Sequence, residues 1–119
     1  MKLHPRWAIV PKTTNAMAAL DLDQEDESEI EKWLIPEEDF AMLWNSGTFL
    51  KMGSISDTNI DDYEDCSITE QPALIKIRDM LSTLLNDPPP TTLNHEPIRT
   101  LRDLVALAVR HKTGIFLYL

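Results

Sequence analysis

The sequence has little of several features that define common functional classes. Its three glycines, Gly47, Gly53 and Gly114, are too scattered to form a loop that cradles phosphate. Its single cysteine, Cys66, excludes an intramolecular disulfide and favours a reducing, cytoplasmic location. No stretch approaches the ~18 consecutive apolar residues of a transmembrane helix, and the apolar run near the N-terminus is too short for a signal peptide.

Basic residues are also scarce. Twenty acidic residues against eleven lysines and arginines give a net charge of -9. Sixteen of the acidic residues lie in 21–70, where Lys32 and Lys51 are the only lysines or arginines. Because phosphate contacts need a basic face, direct nucleic-acid binding is excluded as the main function.

Length and composition predict one compact domain spanning residues 1–119. The strongest helix patterns cover 97–112, with Gly114 as the expected stop, and 72–85; a proline-rich spacer at 87–92 separates them. Weaker helix signals cover 23–34 and 36–47, where acidic residues occupy the first turns. Residues 7–10, 48–52 and 115–119 are β-prone. We therefore expect a mainly α fold with about four helices and a small two- or three-stranded β element from the termini; α+β is the alternative.

Several residues whose chemistry often supports catalysis are present in unsuitable contexts. The histidines at positions 4, 95 and 111 match no metal-ligand spacing. Cys66 follows two acidic residues, which disfavour a thiolate nucleophile. We expect no enzyme activity, no metal and no cofactor.

One stretch resembles the start of a calcium-binding EF-hand loop. Asp57, Asn59 and Asp61 match its first three ligand positions. The sixth position, which needs glycine, is Asp62, and the twelfth, which needs glutamate, is Ile68. The sequence therefore argues against a calcium site.

The same stretch, 57–65, is better explained as an acidic contact surface. Its carboxylates surround a tyrosine, and acidic residues in 25–38 are expected to assist it. The expected partner-binding residues are Asp57, Asp61, Asp62, Tyr63, Glu64, Asp65, Glu27, Glu31 and Glu38. Such a surface steers a basic protein partner toward a rigid aromatic contact. The alternative is a solvated loop that aids solubility.

Two further groups of residues have structural interpretations. Arg99, Arg102 and Arg110 are expected to bridge to the acidic half of the chain. Trp33 and Trp44 lie on apolar stripes and are expected in the core, although exposure beside acidic residues would make either an interface anchor.

In size and charge, this chain resembles the immunity proteins that neutralise bacterial nuclease toxins. That resemblance implies an inhibitor whose carboxylates cover the cationic groove in which a toxin holds RNA or DNA. Two alternatives remain open: a DNA mimic aimed at another nuclease, and an adaptor that binds through its apolar C-terminal tail, 115–119.

Overall fold

The computed structural model describes residues 5–21, 27–61, 65–86 and 95–119. These residues form five α-helices and a four-stranded antiparallel sheet. The strands are β1 (Trp7–Pro11), β2 (Ile30–Leu34), β3 (Asp65–Ile68) and β4 (Ile115–Tyr118). The helices are α1 (Thr14–Asp21), α2 (Glu37–Asn45), α3 (Thr48–Ser56), α4 (Gln71–Asn86) and α5 (Glu96–His111), and a 3-10 turn, Glu27–Glu29, precedes β2. The predicted spacer at 87–92 lies outside the described residues.

The sheet has the strand order β2-β1-β4-β3, so the strands from the two ends of the chain pair at its centre. Trp7 of β1 is opposite Leu34 on one side and Tyr118 on the other, and Tyr118 is opposite Asp65. β2 and β3 are therefore the two edges of the sheet.

Successive side chains of the central strands point to opposite faces of the sheet, and both faces are buried. Ala8 and Leu117 face a core built with α2, α3, α4 and α5. Ile9 and Phe116 face a smaller core that includes Ala16 and Leu20 of α1. The sheet is consequently a middle layer, with four helices on one side and one short helix on the other.

The two longest helices confirm the strongest predictions from the sequence. In α4, Leu74, Ile77 and Leu81 are fully buried at helical spacing, and α5 buries an equivalent stripe. The expected stop at Gly114 is wrong, because Lys112 adopts the left-handed conformation that ends α5, with φ 55°. The amide groups of Lys112 and Thr113 donate to the last carbonyl groups of the helix.

Two expected elements have the opposite secondary structure. The helix expected at 23–34 is wrong for its second half, because residues 30–34 pair along β1 as strand β2. The strand expected at 48–52 is wrong, because Gly47, with φ +80°, turns the chain directly from α2 into α3. Phe49 and Met52 then lie three positions apart and are buried on one side of a helix.

The expected fold is confirmed in its coarse form, a helical protein with a small β element. The structure adds helix α1 and strand β3, which the sequence patterns did not predict, and shows an α+β arrangement of five helices and four strands over the described ranges. None of the helices in this part of the chain has the length and hydropathy that crossing a lipid bilayer requires.

The apolar C-terminal residues lie inside the fold. β4 is hydrogen-bonded to strands on both sides, and Ile115, Leu117 and Leu119 are at most 2% exposed. The segment 115–119 is thus an interior strand and the residue that follows it.

We predict that Leu117→Ala lowers the free energy of unfolding by about 2–5 kcal/mol, because it opens a cavity beside the central strand. Leu50→Ala is the matched control: Leu50 is 78% exposed, whereas Leu117 is fully buried, and the exposed truncation should cost less than about 0.5 kcal/mol. Urea unfolding measures both variants. Equal losses would contradict the central position of β4.

Candidate functional site

The predicted acidic surface corresponds to the connection between α3 and β3, residues 57–65, which we call the acidic connection. Asp57 follows the last residue of α3, and Asp65 is the first residue of β3. Both are exposed, and Asp61 is partly exposed. The predicted contact residues Asp62, Tyr63 and Glu64 lie outside the described residues.

The start of this connection is fixed by the way α3 ends. Asp57 adopts the left-handed conformation, with φ 54°. The amide of Thr58 donates to the carbonyl oxygen of Gly53 at 2.9 Å, which satisfies one of the last carbonyl groups of the helix. A Cβ atom at Gly53 would lie 2.5 Å from the Thr58 carbonyl oxygen, so glycine permits this close return of the chain.

Ile60 anchors the middle of the connection. Its side chain is only 9% exposed and belongs to the main core, while Asp57 and Asn59 remain exposed. Burial of one apolar residue among polar ones holds the chain against the protein. The exposed side chains near Ile60 therefore belong to a segment that is attached to the core.

A surface depression of about 400 Å³ lies between α3 and this segment. Phe49 and Ile60 contribute apolar surface that belongs to the core. Leu50 also lines the depression and is the most exposed large apolar residue in the described part of the chain. The polar lining comes from Ser54, Asp57, Thr58 and Asn59.

Several basic side chains pair with acidic residues close to them in the chain or in the sheet. Arg99 pairs with Glu96, and Arg102 pairs with Asp103 at 2.8 Å, all within α5. The expectation that these two arginines bridge to the acidic half is therefore wrong, because acidic neighbours on their own helix hold them. Across the described ranges, Asp57 and Asp65 form no ion pair.

The other expected acidic residues do not join the acidic connection. Glu31 lies on β2, the opposite edge of the sheet, about 14 Å from β3 at ordinary strand spacing. Its carboxylate lies 3.9 Å from Lys12 Nζ. Glu27 is in the 3-10 turn before β2, and Glu38 is in the first turn of α2. Asp57, Asp61 and Asp65 lie in the acidic connection, whereas Glu27, Glu31 and Glu38 lie in other elements.

The first turn of α2 forms a second acidic feature. Glu37 is paired with Arg6, whose guanidinium lies 4.0 Å above the centre of the Phe40 ring. Burial raises the pKa of the Asp39 carboxyl, and the neighbouring charge of Glu38 raises it further. These contacts fix the start of the helix against β1.

Trp44 departs from its expected core position. Its side chain is 41% exposed and stacks on Phe40, with ring centroids 5.8 Å apart. The other tryptophan expected in the core, Trp33, is half-buried against it. Trp44 is therefore an exposed aromatic on the helix that begins with Glu37, Glu38 and Asp39.

Side chains that commonly bind metal ions are dispersed over the described part of the chain. Among them, no cluster of three or more histidine, cysteine or acidic side chains has the arrangement of a metal site. His95 and His111 lie at opposite ends of α5, about 24 Å apart at the rise of an α-helix.

The depression beside α3 was not predicted from the sequence. Its exposed leucine lay in residues 48–52, which are β-prone and were expected to form a strand. The run from Asp57 to Asn59 was the one signal that could have indicated a helix end before it, because aspartate and asparagine tolerate the left-handed conformation at helix ends.

Comparison with protein families, curated proteins and solved structures found no match to this chain. The chemistry of the residues described above is therefore the basis for the function proposed below.

We predict that Gly53→Ala destabilises the protein by about 1–3 kcal/mol, because the new methyl group meets the backbone at Thr58 and forces the chain to move. Ser54→Ala, the next residue on the same helix, is exposed and should change stability by less than about 0.5 kcal/mol. Thermal and urea unfolding of both variants check this. A stabilised Gly53→Ala variant would contradict the close return of the chain.

Proposed function

We propose that this protein is a binding protein that covers a basic surface of a protein partner with the acidic connection and the depression beside it. The observation that carries the proposal is the lining of the depression beside α3: it includes Asp57, which is exposed and forms no ion pair with any described residue, and Leu50, which is 78% exposed. Apolar contact area flanked by charge is the usual composition of a protein interface.

The charge of the whole chain supports a basic partner. A net charge of -9 gives the whole protein a negative field; most acidic residues lie in 21–70 of the sequence, distributed over β2, the start of α2 and the acidic connection. Such a field accelerates encounter with a positively charged partner and makes the association sensitive to salt. The acidic connection lies within this part of the chain.

Within this class, we favour an inhibitor of the immunity-protein type, acting in the bacterial cytoplasm on a toxin nuclease. Its carboxylates would occupy the cationic groove that otherwise holds RNA or DNA. This activity requires binding alone and no catalytic group.

The two alternative functions receive less support from the geometry. A DNA mimic needs carboxylates arrayed along an extended face, whereas this chain has a radius of gyration of 13.7 Å, close to the ~13.5 Å of a compact chain of its length. An adaptor that binds through residues 115–119 needs that segment to be accessible. In the structure the segment consists of β4 and the residue after it, and most of its side chains are buried.

The test is affinity capture with matched baits, followed by kinetics with the purified partner. The baits are the unaltered chain, the double variant Asp57→Asn/Asp65→Asn, and the control Asp79→Asn/Asp103→Asn, which removes two exposed carboxylates on α4 and α5. Asparagine tolerates the left-handed conformation at residue 57, so the first variant changes charge and preserves the backbone.

We expect a basic protein to be retained by the unaltered and control baits and lost from the double variant. Its association rate constant should fall by about tenfold in the double variant at about 50 mM NaCl, and the difference should shrink at about 500 mM NaCl. Retention of the same proteins by all three baits, or only of acidic proteins, would overturn the proposal.

A further inference from the structure

The depression beside α3 combines apolar and polar surface in a way that identifies one kind of occupant. We propose that it receives an arginine side chain. The identity of the arginine as a residue of a protein partner rests on the proposed function, whereas the fit of the side chain rests on the depression itself.

The depression is large enough for an arginine side chain. Its volume of about 400 Å³ falls within the range for small-molecule sites, ~300–1,000 Å³. Leu50, on α3, provides exposed apolar surface, whereas Phe49 is buried in the core beneath it. The three methylene groups of an arginine can pack there, as the stems of long basic side chains do on apolar surface.

The polar lining provides acceptors for a guanidinium group. Asp57, Ser54 and Asn59 line the depression, and their side chains carry a carboxylate, a hydroxyl and an amide oxygen. No other described residue hydrogen-bonds to these three side chains. By contrast, the hydroxyl of Thr58 donates to the carbonyl oxygen of Ser56 at 3.3 Å and is engaged within the segment.

These acceptors favour arginine over lysine. A guanidinium has five N–H donors in a planar fork and is weakly hydrated, so it can meet a carboxylate and neighbouring oxygens together. A lysine ammonium is a compact and strongly hydrated charge, and it gains less from several acceptors spread around a shallow site.

The backbone holds these groups in place before a ligand arrives. Asp57 is fixed in the left-handed conformation at the end of α3, and Ile60 ties the following residues to the core. Binding therefore requires less ordering of the chain, which improves the affinity of a small contact.

The test uses the full chain and three probes: the Nα-acetyl amides of arginine, lysine and citrulline. Citrulline has nearly the shape of arginine and no charge. Each probe is titrated into ¹⁵N-labelled protein and followed by two-dimensional NMR. For the arginine probe we expect saturable shifts at residues 53–60, with a dissociation constant on the order of 10 mM, weaker binding of the lysine probe and no saturation with citrulline.

Three variants locate the contact. Asp57→Asn should weaken binding of the arginine probe by about tenfold, because a charge-assisted hydrogen bond is lost. Leu50→Ala should weaken it by about threefold through loss of apolar contact. Asp65→Asn, in the acidic connection but outside the lining of the depression, should leave it unchanged.

Absence of saturation, shifts located away from 53–60, or equal binding of the citrulline probe would overturn the inference. Equal losses in Asp57→Asn and Asp65→Asn would overturn it as well, because they would indicate general attraction to negative charge. Failure here leaves the capture experiment free to succeed, whereas a failed capture with a positive arginine titration would count against the proposed function alone.

Discussion

The antiparallel pairing of β1 with β4 is the interaction on which the rest of the structure depends. It joins residues more than a hundred positions apart, with Trp7 opposite Tyr118, and it places β4 between β1 and β3. The alternating side chains of β4 enter both cores, as Leu117 and Phe116 show. β3 pairs with the other side of β4, so this second ladder fixes the end of the acidic connection at Asp65.

Backbone hydrogen bonds and strand pairing fix the two ends of the candidate site. At one end, the amide of Thr58 closes α3 against Gly53 and leaves Asp57 exposed. At the other end, Asp65 begins an edge strand, and Ile60 is buried between them. Asp57 and Asp65, at the two ends of the acidic connection, are exposed and form no ion pair with any described residue.

The sequence predicted elements where the hydrophobic period is long and regular, as in 72–85 and 97–112. The predictions for 30–34 and 48–52 were wrong, because the pattern of only five residues is compatible with both a helix and a strand. Pairing with β1 makes 30–34 a strand, and the turn at the preceding glycine starts a helix at 48. The sequence located the acidic residues of 57–65, and the structure shows that Asp57 and Asp65 are exposed. The exposure of Leu50 was not predictable, because it depends on which side of α3 meets the core.

A basic protein that contacts the acidic connection and the depression beside it should protect their backbone amides. Hydrogen exchange of the full chain, measured with and without a partner captured by the unaltered bait, locates that protection. We expect slower exchange at residues 53–65 and little change in α1, which lies on the other face of the sheet. Unchanged exchange at 53–65, with protection elsewhere, would contradict this contact.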